Sequence, residues 1–116
     1  MGAIGLTQTS VTIASGQSLS AAIPIGEDIP VGIVMPATWT AAALTFQVSV
    51  DGGTTWVEMY DNTGTAVSLT VDINRYVQLA ASSWFGINHI KIRSGTSGSP
   101  VTQGADRILT LVSKKL

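Results

Sequence analysis

The sequence predicts an all-β protein built as an antiparallel β-sandwich or small barrel. Three observations predict it. Apolar and polar residues alternate with period two in run after run. Turn-forming clusters of Gly, Asp, Asn and Pro recur about every 8–12 residues. No segment carries a convincing 3.6-residue apolar period. The chain has 116 residues, enough for one domain with its own core and too few for two.

The elements follow in order. Residues 1–8 carry no partner signal and read as an N-terminal arm, either docking on a neighbour or fraying. A strand near 7–14 buries Val11 and Ile13, and Ser15-Gly16-Gln17 turns the chain. A second, over 18–25, aligns Leu19, Ala21, Ile23 and Ile25, and Gly26-Glu27-Asp28 with Pro30 closes it. "VGIVM" over 31–35 ends at Pro36. In "ALTFQVSV", over 43–50, Leu44, Phe46, Val48 and Val50 share one face, and Thr45, Gln47 and Ser49 the other. Asp51-Gly52-Gly53 and Asp61-Asn62-Thr63-Gly64 are hairpin turns on either side of a strand at 54–60, because these residue types tolerate positive φ.

Next, Val67, Leu69, Val71 and Ile73 align along 65–73. That run is either separate from 75–79 or one bent strand with it, so the strand count is eight or nine. "AASSWFG" over 80–86 is the one candidate helical turn. "HIKIR", at the end of a strand over 87–93, puts Ile90 and Ile92 inside and Lys91 and Arg93 outside. The polar run 94–105 is a loop of about 12 residues, a length uncommon in compact domains. It reads as an interface loop or as a slack crossover. The last strand, 107–113, is apolar at Ile108, Leu109, Leu111 and Val112, as for burial on both faces or a bend.

Composition narrows function. Net charge is −1, so no general field recruits nucleic acid. No cysteine is present, so neither a disulfide framework nor thiolate chemistry arises. "MGAIGLTQTS" lacks a basic region and an apolar run, so no signal peptide is expected, and no stretch approaches a membrane span. Charged residues make up 11% of the chain, against about 25% in ordinary soluble domains. Threonine and serine, 14 and 12 in number, take over the polar role. Such a surface belongs to a neutral Ser/Thr-faced domain or to one partly covered in a permanent assembly, and the second is the expectation.

The most motif-like run is "SVDGGTTW", Ser49 to Trp56, which fits S-x-D-x-G-x-T-W. This pattern resembles the Asp-box of sialidases and other carbohydrate-active β-propellers. A propeller needs at least four blades of about 40 residues each, which this chain cannot supply. Turn-building explains each member. Asp51 accepts backbone N–H groups across its own turn. Gly53 supplies a conformation free of a Cβ penalty. Thr55 starts a strand, and Trp56 packs its face over the hairpin. Ser49, Asp51, Gly53, Thr55 and Trp56 are therefore expected as a structural turn. No carboxylate pair of glycosidase type stands out. His89 is the single histidine, and no G-x-S-x-G elbow accompanies it. Neither catalytic residues, metal ligands nor a cofactor are expected. Trp39, Trp56 and Trp84 suggest a sugar platform, against which stands their use as packing plugs.

The succession "VGIVMPATWTAAALTFQVSVDGGTTWVEMYDNTG", "YVQL" and "IKIRSGTSGSPVTQGADRILTLV" resembles small virion structural proteins of tailed bacteriophages and prophages, over roughly residues 9–112. The resemblance implies a single antiparallel β-sandwich of jelly-roll type with about eight strands, one domain over 1–116. It implies a non-enzymatic capsid decoration (cement) protein. Such a protein binds the major capsid protein on the outer capsid surface as a homo-oligomer, a trimer by lattice analogy, after synthesis in the bacterial host cytoplasm. A tail, neck or fibre-base component and a carbohydrate-binding module on the virion surface are the alternatives. Neither nucleic acid nor membrane is implied as a partner. The matching positions are Pro36, Trp39, Asp51, Gly52, Arg93, Ser94, Gly95, Pro100, Val101, Gln103, Asp106 and Arg107, expected to be structural or interfacial. Among them Ser94, Gly95, Pro100, Val101 and Gln103 form the candidate interface loop.

Overall fold

The computed structural model describes residues 5–115. Among them are eight strands: β1 Leu6–Ile13, β2 Ile23–Pro24, β3 Ile29–Val34, β4 Leu44–Ser49, β5 Val57–Glu58, β6 Tyr76–Gln78, β7 His89–Ser94 and β8 Arg107–Lys114. One 3-10 turn spans Ala81–Trp84, within the stretch expected to be helical. The strands form two four-stranded antiparallel sheets, with orders β1-β8-β3-β6 and β2-β7-β4-β5.

The two sheets share one core. Val11, Ile13, Ile33, Leu109 and Leu111 contribute from the first sheet, and Ile23, Leu44, Phe46, Val48, Ile90 and Ile92 from the second. Period-two alternation drives these side chains inward, because successive residues of a strand point to opposite faces. Trp84 comes in from the 3-10 turn and stands edge-on to Phe46, with ring centroids 4.8 Å apart.

Several expectations shift. Of the N-terminal arm, residues 1–4 lie outside the described residues. Leu6, Thr7 and Gln8 belong to β1 and pair with Lys114, Ser113 and Val112. Pro30 does not close the second strand but lies inside β3, where the register with β8 shifts between Pro30 and Gly32. A bulge is where a strand tolerates a residue without N–H. The run 65–73 is not a strand. Isolated bridges join Leu69 to Leu44 of β4 and Ala66 to Tyr60, two residues past β5. Val67, Leu69 and Val71 still pack on the core, but Ile73 is exposed. Val50 is also exposed, because β4 ends at Ser49 and the turn begins there. β8 buries one face only: Leu109 and Leu111 point inward and Ile108 is 58% exposed.

Candidate functional site

Two polar constructions absorb nearly every residue singled out above. The first is the Ser49–Trp56 turn between β4 and β5. Ser49, fully buried, accepts the Gly53 N–H at 2.9 Å and donates its hydroxyl to Asp51 Oδ1 at 2.8 Å. The same Asp51 oxygen accepts the Thr55 N–H at 2.8 Å. Gly53 has φ of 91°, a backbone that side chains of L-residues rarely adopt. Trp56 donates its indole N–H to the Gly53 carbonyl at 3.1 Å, closing the loop on itself.

Asn88 ties this turn to β7, accepting the Gly52 N–H at 3.2 Å. His89 Nδ1 lies 3.1 Å from the same Asn88 oxygen, and its ring meets Trp56 edge-on. The Thr55 N–H, and then the hydroxyls of Thr55 and Ser49, hold the Asp51 carboxyl down at about 2. An acid ionised that firmly is a poor proton donor near neutrality. Asp61 repeats the device in the next turn, accepting from Thr63 and Thr65. Its carboxyl is also held low, first by the Thr63 hydroxyl.

The second construction covers the outer face of β4 and β7 and the loop beyond. Arg93 is not outward in solvent. Its side chain is 7% exposed and grips Glu58 on β5 with both terminal nitrogens, each at 2.6 Å. Gln47 donates to Glu58 at 3.0 Å. Thr45, opposite Arg93 in the ladder, donates to the Gly95 carbonyl at 2.7 Å. The Arg93 hydrogen bonds lower the Glu58 pKa below the ordinary carboxylate value, against a smaller opposing push from burial.

Gln103 centres the loop region and is 1% exposed. Its amide donates to the Thr40 carbonyl and to Ser94 Oγ, and its oxygen accepts from Thr40 N–H and Arg107 Nε. Arg107 continues to the Thr38 and Thr40 hydroxyls, and Asp106 accepts the Ser15 N–H. Trp39, half-buried, donates to the Ala42 carbonyl. Gly95 turns the chain with φ of 89°, and a Cβ there would meet Ser99 O at 2.6 Å.

The loop is therefore no slack crossover. Ser94, Gly95 and Gln103 are buried inside the monomer and are unavailable to a partner. Thr96 to Pro100 stay exposed, with Val101 half-buried. Among the described residues, every buried side-chain nitrogen or oxygen has a partner. The three tryptophans do not form one platform. Trp84 is in the core, and Lys91 Nζ stands 4.4 Å from the Trp56 ring centroid. A cleft of about 500 Å³ between Gly26–Ile29 and Phe85–Asn88 shares only Asn88 with these networks.

Glu58, Thr40, Thr45 and Asn88 are the participants that sequence reasoning missed. Their partners lie 35 to 63 residues away along the chain, brought in by strand pairing or by loops meeting at the sheet ends, and no local spacing announces it.

The outer face of the first sheet has no such network. It presents Leu6, Gln8, Ser10 and Thr12 from β1, then Ile108, Thr110 and Val112 from β8. Val34 and Tyr76 follow from β3 and β6. Lys114 is its one charged residue among those described. Among the described residues the one side-chain hydrogen bond on this face joins Tyr76 Oη to the Val31 carbonyl, with the phenol ring lying over Gly32. Fold and site thus define an all-β two-sheet domain with one face sealed by its own polar network and one left bare. No family model, curated protein or solved structure matches the chain.

Proposed function

We propose that this protein is a non-enzymatic structural component of a bacteriophage virion. In this reading it decorates the outer surface of the major capsid lattice as an oligomer, on a β-sandwich of jelly-roll type. The strand order supports the fold half of the proposal. Eight strands in two sheets ordered 1-8-3-6 and 2-7-4-5 follow the path of a sandwich wound from two Greek keys.

The observation that carries the function is the bare outer face of the first sheet. Charged groups are depleted from the cores of protein interfaces, and among the described residues this face holds a single lysine beside exposed Leu6, Val34, Tyr76 and Ile108. Side-chain chemistry elsewhere is consumed in holding turns and loops, which suits a rigid scaffold. Repeated weak contacts gain strength when an oligomer engages a lattice at several points.

The test is co-sedimentation of the purified protein with capsids of the virus that encodes it, followed by heating. Binding at lattice stoichiometry and a raised capsid melting temperature are expected. Absence of the protein from the capsid pellet at saturating concentration sinks the reading. A copy number far below that of the capsid subunits moves the protein to the tail or neck.

A further inference from the structure

The sheet edges differ in how they are guarded. β2 is two residues long and contains Pro24, β5 is two residues long, and β6 is three. Short edges and prolines are the usual protection against pairing with a foreign strand. β1, the remaining edge, runs for eight residues with neither charge nor proline. Its register with β8 is unbroken from Leu6–Lys114 to Ile13–Arg107, so no bulge twists it away.

The free hydrogen-bonding groups on this edge follow from one contact. Lys115 N–H donates to the Gly5 carbonyl at 2.6 Å. Residues 5 and 115 are therefore a hydrogen-bonded pair, and such pairs alternate along an antiparallel ladder. Thr7, Thr9, Val11 and Ile13 turn their backbone groups toward β8. Leu6, Gln8, Ser10 and Thr12 turn theirs outward, and no described segment pairs with them.

We infer that β1 is a self-association edge, on which a second copy of this chain pairs β1 to β1 antiparallel about a two-fold axis. The axis passes at Thr9. Leu6 bonds Thr12 of the partner subunit, Gln8 bonds the partner's Ser10, and the two four-stranded sheets become one continuous sheet. Every outward N–H and C=O of the four residues finds a partner, and the outer faces join into one surface. Charge selects the antiparallel arrangement. Lys114 and Lys115 flank the Leu6 end, whereas at the Ile13 end Arg107, opposite Ile13, and Asp106, by Ser15, offset each other. The two-fold sets the basic end of one copy beside the charge-balanced end of the other, and a parallel pairing would set the lysine pairs of both copies side by side. The contact is a property of the free protein and holds whether or not the capsid reading does. It is also a different symmetry from the trimer that lattice analogy implies.

Sedimentation equilibrium across the micromolar range tests it, with dimer as the expected species. Ser10→Pro removes an outward N–H without touching the β8 ladder. Two hydrogen bonds per dimer are lost, raising the dissociation constant by about 30-fold. Gln8→Lys/Ser10→Lys sets like charges across the seam on exposed side chains. It is expected to yield a monomer with unchanged circular dichroism, which guards against a proline that prevents folding. The chain has no cysteine, so Gln8→Cys/Ser10→Cys is expected to cross-link as a covalent dimer on oxidation while either single variant does not. A wild-type monomer throughout the range overturns the proposal. So does any oligomer, trimer included, that survives the double lysine variant, and so does failure of the cysteine pair to cross-link.

Discussion

The two sheets of this domain treat their outer faces in opposite ways. The β2-β7-β4-β5 face is closed by Arg93, Glu58, Gln47 and Thr45, and the Asp51 turn and Gln103 loop are knitted onto its ends. The β1-β8-β3-β6 face carries Ile108, Val34, Tyr76 and Leu6 in the open, with Lys114 as its charge. Both faces are poor in charge, but for different reasons. On one, charges are consumed by partners inside the monomer. On the other, Lys114 is the one charge among the described residues. The contrast teaches that a low overall charge count has no single meaning until each charge is placed.

The comparison can be broken most directly at Glu58. Glu58→Ala leaves the Arg93 guanidinium buried without its carboxylate, and half-screened burial puts the expected loss near 2–4 kcal/mol in urea unfolding. Replacing both partners, as Glu58→Leu with Arg93→Met, is expected to restore most of that loss, because the uncompensated charge is then gone. If the single variant is as stable as wild type, the sealed face contributes no more than the bare one.

Gln103→Ala comes next, at about 1–3 kcal/mol, since it strands the Thr40 N–H and the Ser94 hydroxyl in a buried setting. A urea midpoint shift with unchanged slope is the expected readout.

A smaller, pH-dependent effect resides in the Asp51 turn. Asp51 is held at about 2, below its ordinary 3.8. A depressed carboxylate contributes stability that is complete above the unfolded pKa and lost as the pH falls through the folded one. Its share is therefore present above about pH 4 and disappears toward pH 2. Asp51→Asn keeps an oxygen to accept the Thr55 N–H, so it is expected to preserve the turn while flattening the pH dependence in that window. Asp51→Ala is expected to lower stability at pH 7 as well. Melting curves between pH 2 and 7 separate the three proteins, and identical acid limbs for wild type and Asp51→Asn would contradict this account.

The smallest effect is expected on the bare face. Ile108→Thr or Val34→Thr is expected to change the stability of the monomer by no more than about 0.5 kcal/mol, because neither side chain fills the core. A loss of several kcal/mol in monomer unfolding would show that this face is not free.

Local patterns foretold much of the fold. The inward residues Val11, Ile13, Leu44, Phe46, Val48, Ile90 and Ile92 were legible from period-two alternation alone. The turns at Ser15, Asp51 and Asp61 were legible from residue type, because an Asx turn is closed by its own neighbours. The reading failed where strand ends and neighbours decide. Val50 shares the inward parity of Phe46, yet the ladder stops one residue before it. Val67, Leu69 and Val71 alternate correctly but find only isolated bridges. Ile108 looked buried, and its side of the sheet turned out to have no second layer.

By itself, then, the sequence determined parity, turns and the scarcity of charge, since each is settled within a few residues. Tertiary structure alone decided what those features face. It carried Glu58 under Arg93 and Thr40 onto Gln103, and it left β1 at an edge with eight uncharged residues. Pairing partners lie tens of residues apart along the chain, and the ladder that joins them is made of backbone groups common to every residue.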